Sequence, residues 1–137
     1  MIAAPKVEYS LRVLAQLAKQ HTPGHVVRVE DLAKIEAVPQ NYLVQLLNEL
    51  REGGLVDSKR GKTGGYRLAR NPGDISVHDV LAVIDPAIAK TKVTAKGASG
   101  PQVAGLWREI SRRLDGSLSD LTLAHLARAT EGGDWEI

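Results

Sequence analysis

The sequence contains no cysteine. That absence removes disulfides, thiolate catalysis and every cysteine-ligated zinc or iron–sulfur site. Phenylalanine is missing too, and aromatic residues make up only 4% of the 137-residue chain, so the core must be aliphatic. No apolar run approaches the roughly 20 residues that a membrane span requires. Residues 1–13, MIAAPKVEYSLRV, hold no long apolar segment ahead of a small-residue cleavage site. This predicts no secretory signal, no membrane association and a cytoplasmic location.

Catalytic and metal-binding groups are equally sparse. His21, His25, His78 and His125 are scattered without helical zinc-ligand spacing, which points to surface or capping roles and to no metal site. Ser76, His78 and Asp79 lie too close in sequence to converge as a nucleophilic triad. Gly61-Lys62-Thr63 resembles the end of a phosphate-binding loop, but the glycine required five residues earlier is Val56. The expectation is a protein that is not an enzyme and carries no cofactor.

What the chain does have is unevenly placed charge. Its net charge is +2, yet residues 1–71 hold eleven of the 18 basic residues and seven of the 16 acids. Between Ser58 and Gly73 there are five basic residues and no acid. A local basic patch on a near-neutral chain suits a phosphate backbone, although solvated basic loops are common on protein surfaces.

Hydrophobic spacing supplies the elements. Val7, Leu11, Leu14 and Ala18 share one helical face, with Val13 and Leu17 beside them, and this first helix ends near Gln20. Leu32 and Ile35 mark a short second helix over Val29–Glu36, followed by the tight link Ala37-Val38-Pro39. A third helix runs from Pro39 to about Glu52 with Leu43, Leu46, Leu47 and Leu50 inward, and Gly53-Gly54 stops it. The segments Leu55–Lys59 and Tyr66–Ala69 then read as the strands of a hairpin joined by a glycine-rich turn. Ser76, with Asp79 three residues on, forms a capping box for a helix beginning at Val77. Residues 85–102 show little periodicity and read as a flexible loop. Val103, Trp107, Ile110, Leu114, Leu118 and Leu121 step close to a heptad, as in a long helix packed on another helix. Thr122 caps a short last helix with Leu123 and Leu126, and residues 131–137 read as a loose tail. The fold class is mainly α with a small β-hairpin, divided into residues 1–84, a loop over 85–102, and a dimerisation helix and tail over 103–137.

Two short helices joined by a tight turn, then a basic glycine-rich hairpin, make a winged helix-turn-helix. Gln40, Asn41, Tyr42 and Gln45 stand at the start of the second helix of the motif, where major-groove contacts are made; Gln and Asn pair bidentately with adenine. Lys59, Arg60, Lys62, Thr63 and Arg67 belong to the wing, where cations neutralise phosphates and glycines let backbone approach them. Arg60, at the wing tip, is placed to enter a narrow minor groove. The partner predicted is double-stranded DNA. The alternative is a winged-helix protein-interaction module without DNA binding, which has no need of an acid-free wing.

Tyr42-Leu43, Leu46-Leu47, Leu50, Gly54-Leu55-Val56, Ser58, Arg60-Gly61, Gly64-Gly65-Tyr66 and Leu68-Ala69 together resemble the signature of the Rrf2 family of winged helix-turn-helix transcription regulators, whose members include IscR, NsrR and CymR. The helix from Val77 to Asp85 is similar to that family's helix after the wing. Leu106-Trp107-Arg108-Glu109, with Leu114 and Leu121-Thr122-Leu123, is similar to its dimerisation helix. The resemblance spans nearly the whole chain outside residues 86–102. It implies a homodimeric repressor with crossing long helices, with Val103, Trp107, Ile110, Leu114 and Leu118 in the seam, on a partly palindromic operator. Several members hold an iron–sulfur cluster on three cysteines in the loop before the long helix; here Lys, Gly, Ala and Ser stand there. The His that some members carry three residues before the tryptophan is Ala104, and Glu8 alone, at a position where some members have an acidic ligand, cannot hold a cluster. The resemblance therefore implies a cluster-free member, answering to an unknown small-molecule or protein effector.

Overall fold

The computed structural model describes residues 4–89 and 93–129. Helix α1, Pro5–Lys19, opens with proline in its first turn, where the missing N–H has no helical partner to lose. It turns Val13, Leu14, Leu17 and Ala18 inward. The hydroxyl of buried Ser10 donates back to the Lys6 carbonyl at 2.6 Å, so the face carries no orphan polar group there. Helix α2, Val29–Glu36, ends on Ala37 in the left-handed conformation, φ 54°. That single residue reverses the chain into α3, Gln40–Glu52, whose Leu43, Leu46, Leu47 and Leu50 are all buried. Each such leucine contributes about 1.5–3 kcal/mol as an upper bound on burial. Ile35, whose spacing with Leu32 marks this helix in the sequence, is 54% exposed. An eight-residue helix that ends in so tight a turn presents only Leu32 and Ala33 to the core.

Beyond α3, Gly54 takes φ 78° and delivers the chain into strand β1, Val56–Lys59. β1 pairs antiparallel with β2, Gly65–Leu68, in a register from Val56 opposite Leu68 to Lys59 opposite Gly65. Both strands fall within a residue of their sequence-based limits. A further bridge, unseen in the sequence, joins Val27 to Tyr66: each backbone N–H donates to the other's carbonyl at 2.8 Å. The hairpin is thereby tied to the segment that leads into α2.

A single 3-10 turn, Pro72–Asp74, precedes α4, Val77–Ile84. The Ser76 hydroxyl accepts from the Asp79 N–H at 3.0 Å and the Asp79 carboxylate accepts from the Ser76 N–H at 3.0 Å, completing the predicted capping box. Residues 85–102 are not wholly loop: a four-residue helix α5, Pro86–Ala89, lies inside them, and α6 begins at Gly100 rather than Val103. Pro86 and Pro101 sit in the first turns of these helices, where the missing N–H costs no helical bond. Helix α6 runs Gly100–Asp120. Along it, Arg112 and then Arg113 hydrogen-bond Glu109 and hold its carboxyl below the usual carboxylate range. Helix α7, Leu123–Arg128, is capped by Thr122, with the His125 ring accepting the Thr122 N–H at 3.2 Å. Residues 131–137, read as a tail, lie outside the described residues.

The chain closes on itself through this last helix. The Val77 N–H donates to the Leu121 carbonyl at 2.8 Å and the Leu123 N–H to the Ile75 carbonyl at 2.9 Å. Leu123 is fully buried in the same cluster as Leu14, Leu47 and Val80, and α7 packs on α1.

Candidate nucleic-acid interface

Burial of the leucine face of α3 fixes what its other face shows. Gln40, Asn41 and Gln45 are exposed, and Val44 joins them at 37% exposure. Tyr42 is placed differently. It is half-buried, with its ring edge-on to Tyr9 of α1 at 5.4 Å between centroids, and the Arg12 guanidinium covers the Tyr9 ring at 4.8 Å. The packing makes Tyr42 an anchor that sets the angle of α3 against α1.

The wing is open on its cationic side. Lys59, Arg60, Lys62, Thr63 and Arg67 are all exposed. Among the described residues, Lys59, Arg60 and Lys62 have no carboxylate within ion-pair distance. Arg67 differs from them: the register sets it opposite Asp57, the acid just before the acid-free run. The tip turns on Gly61, φ 102°, whose carbonyl accepts the Gly64 N–H at 3.0 Å. Gly65 is required for another reason. A Cβ there would lie 2.4 Å from the Val27 carbonyl oxygen. Gly65→Ala is therefore expected to break the Val27–Tyr66 bridge, loosen the wing and weaken DNA binding at least about tenfold, a cost of about 1.4 kcal/mol. A shift titration checks it; wild-type affinity would show that the wing does not depend on this bridge.

Two further cations stand beside the wing that spacing did not single out. Arg28 precedes α2, and Arg51 in the last turn of α3 donates to the Ser58 hydroxyl at 3.2 Å. Positions 51 and 58 meet across the turn from α3 into β1, and the strand bridge brings position 28 to them. Val44, outside the inward leucine set, is a further exposed side chain of α3 that the sequence reading did not single out.

Helix α6 carries the second notable surface. Val103, Leu106, Trp107, Ile110 and Leu114 are all exposed, and Leu118 is half-buried. Large apolar side chains in one stripe on a helix mark an association surface. The donor set does not fit an iron–sulfur cluster. There is no cysteine, Glu8 is exposed on α1, and the described residues contain no group of three His, Cys, Asp or Glu that could hold a metal.

Comparison with known proteins bears on all these surfaces. Residues 4–129 match the family described as Rrf2, iron-dependent transcriptional regulator. A Mycobacterium tuberculosis protein named as a candidate HTH-type transcriptional regulator is 39% identical over 132 residues, covering 93% of this chain and 81% of that one. The HTH-type transcriptional regulator IscR of Klebsiella pneumoniae is 33% identical over 130 residues, covering 92% and 79%. The solved structure of CymR, the global cysteine regulator of B. subtilis, superimposes with a TM-score of 0.80 at 30% identity, covering 96% of this chain and 99% of CymR.

Proposed function

The chain belongs to the Rrf2 family of winged-helix transcriptional regulators, which bind DNA and are not enzymes, and from that premise we propose that it works as a homodimeric repressor without an iron–sulfur cluster. The carrying observation is the pairing of an exposed amide row on α3 with unpaired cations on a glycine-built wing. Gln40, Asn41 and Gln45 read base edges in the major groove. Lys59, Lys62 and Arg67 neutralise phosphates, Thr63 adds a hydroxyl to the wing contact, and Arg60 enters the minor groove. Tyr42 supports the helix that carries the readers. The stripe Val103, Trp107, Ile110, Leu114 and Leu118 pairs with its copy in a second chain, so two heads meet a partly palindromic operator. A regulator of this kind works beside the chromosome, in the cytoplasm. With no thiolates for a cluster, a small molecule or a protein partner supplies the signal.

The test is a titration of DNA upstream of the protein's own operon. Arg60→Ala is expected to cost about 1–3 kcal/mol of operator affinity, the scale of one good groove contact. Unchanged affinity removes Arg60 from the interface, and absence of DNA binding by the unsubstituted protein overturns the whole reading. Protein purified without oxygen is expected to be colourless; a visible absorption band from bound iron would contradict the cluster-free assignment.

A further inference from the structure

We propose that the cleft between the start of α2 and the wing is a built phosphodiester site, in which Arg28 and Arg51 hold one phosphate of the DNA backbone beside those that Lys59 and Lys62 neutralise. This rests on the DNA-binding function and adds to it two residues outside the exposed start of α3 and outside the hairpin.

The cleft has a volume of about 370 Å³ and is lined by Arg28, Arg51, Lys59, Arg60 and Lys62, with Glu30 as its one acid. Five cations against one carboxylate leave a strongly positive basin. Its shape comes from three features already described. The Val27–Tyr66 bridge clamps the chain just before α2 against β2, which fixes Arg28 beside the hairpin. Gly64 and Gly65 contribute no side chains, so the lining there is backbone. Arg51 is tethered to β1 by its bond to Ser58, which orders a long side chain before any ligand arrives.

The guanidinium groups remain available. Arg28 meets Glu30 only through Nε at 3.6 Å, too long for a hydrogen bond and more than half exposed on both sides. Arg51 uses Nη1 on a neutral hydroxyl. Each keeps N–H groups for the forked recognition of phosphate oxygens at which arginine excels. The location selects the ligand: the cleft runs along the wing, from the start of α2 and the last turn of α3 to the hairpin tip, so it lies beside the cations that the proposed function sets against the phosphate backbone. A backbone phosphate there would tie wing and helix-turn-helix to the same strand.

The experiment measures operator affinity against salt concentration for the full-length protein, Arg28→Gln, Arg51→Gln, the double variant, and Arg28→Lys with Arg51→Lys. Each neutralised phosphate contributes about 0.9 to the slope of log affinity on log salt. The double glutamine variant is expected to lower the slope magnitude by about 1.8 for a dimer with two clefts. It should bind operator and scrambled DNA more weakly by the same factor, because a phosphate contact carries no sequence information. The lysine variant keeps the charge and is expected to keep the slope, which separates charge loss from misfolding. A wild-type slope in the glutamine variants, or a loss confined to the operator, overturns the cleft while leaving DNA binding intact. If inorganic phosphate or a mononucleotide binds the protein without DNA, and the glutamine substitutions abolish it, the cleft is a small-molecule site and the proposal fails. A wild-type protein with no salt-dependent DNA binding sinks the functional reading itself.

Discussion

Replacing Ile110 with aspartate is expected to yield a monomer in sedimentation equilibrium and to lower affinity for a two-half-site operator by about 10²–10⁴-fold. Ile110 is 42% exposed in the single chain, between Trp107 and Leu114 on the same stripe. Burying these side chains against a second copy removes them from water; an aspartate there would have to be desolvated without a partner, which costs far more than the lost contact. The affinity loss follows from linkage. A joined second head binds at high effective concentration, and a separate one does not. Ile110 lies outside the buried cluster that supports α3 and the wing. The variant should therefore keep its helical content and its weak half-site binding. A dimer that survives Ile110→Asp, or an operator affinity that does not change, would remove α6 from the association surface.

The second large effect is on salt. Between 50 and 200 mM monovalent salt, operator affinity is expected to fall by about 10³–10⁵, as for six to ten phosphate contacts. The wing cations Lys59, Lys62 and Arg67, doubled by symmetry, already supply six. Screening alone does not explain such steepness; release of condensed counterions does, one set for each phosphate neutralised. Base-reading substitutions should behave otherwise. Gln45→Ala is expected to cost about 1–3 kcal/mol at every salt concentration and to leave the slope where it was. A nearly flat salt response would mean that the wing does not face phosphate.

Much of this architecture was legible before any coordinates, and the reasons are local. The leucines of α3, Gly53-Gly54, and the Ser76–Asp79 box are signals carried by adjacent residues, and each appears where spacing put it. The misses share the opposite cause. Ile35 fits a helical apolar face but sits too near the Ala37 reversal to reach the core. Pro86 and Pro101 start helices, and a proline at a helix start is hard to tell from one that ends structure when periodicity is weak. Tyr42 stands with the base-reading positions in sequence, and its edge-on contact with Tyr9 of α1 is a packing role that neighbouring residues do not reveal. Arg28 is brought beside Arg51 and Ser58 by the Val27–Tyr66 bridge, a contact between residues 39 positions apart that no window of sequence can see.

The burial of Leu123 carries a consequence for how the protein comes into being. A domain folds as a unit once its chain has been synthesised, and here one wall of the core against α1 is supplied by α7, after the long helix has been made. A nascent chain that has already displayed α3 and the wing still lacks that wall. The head that carries α3 and the wing is therefore completed only after α6 has been synthesised, so the two ends of the chain mature together.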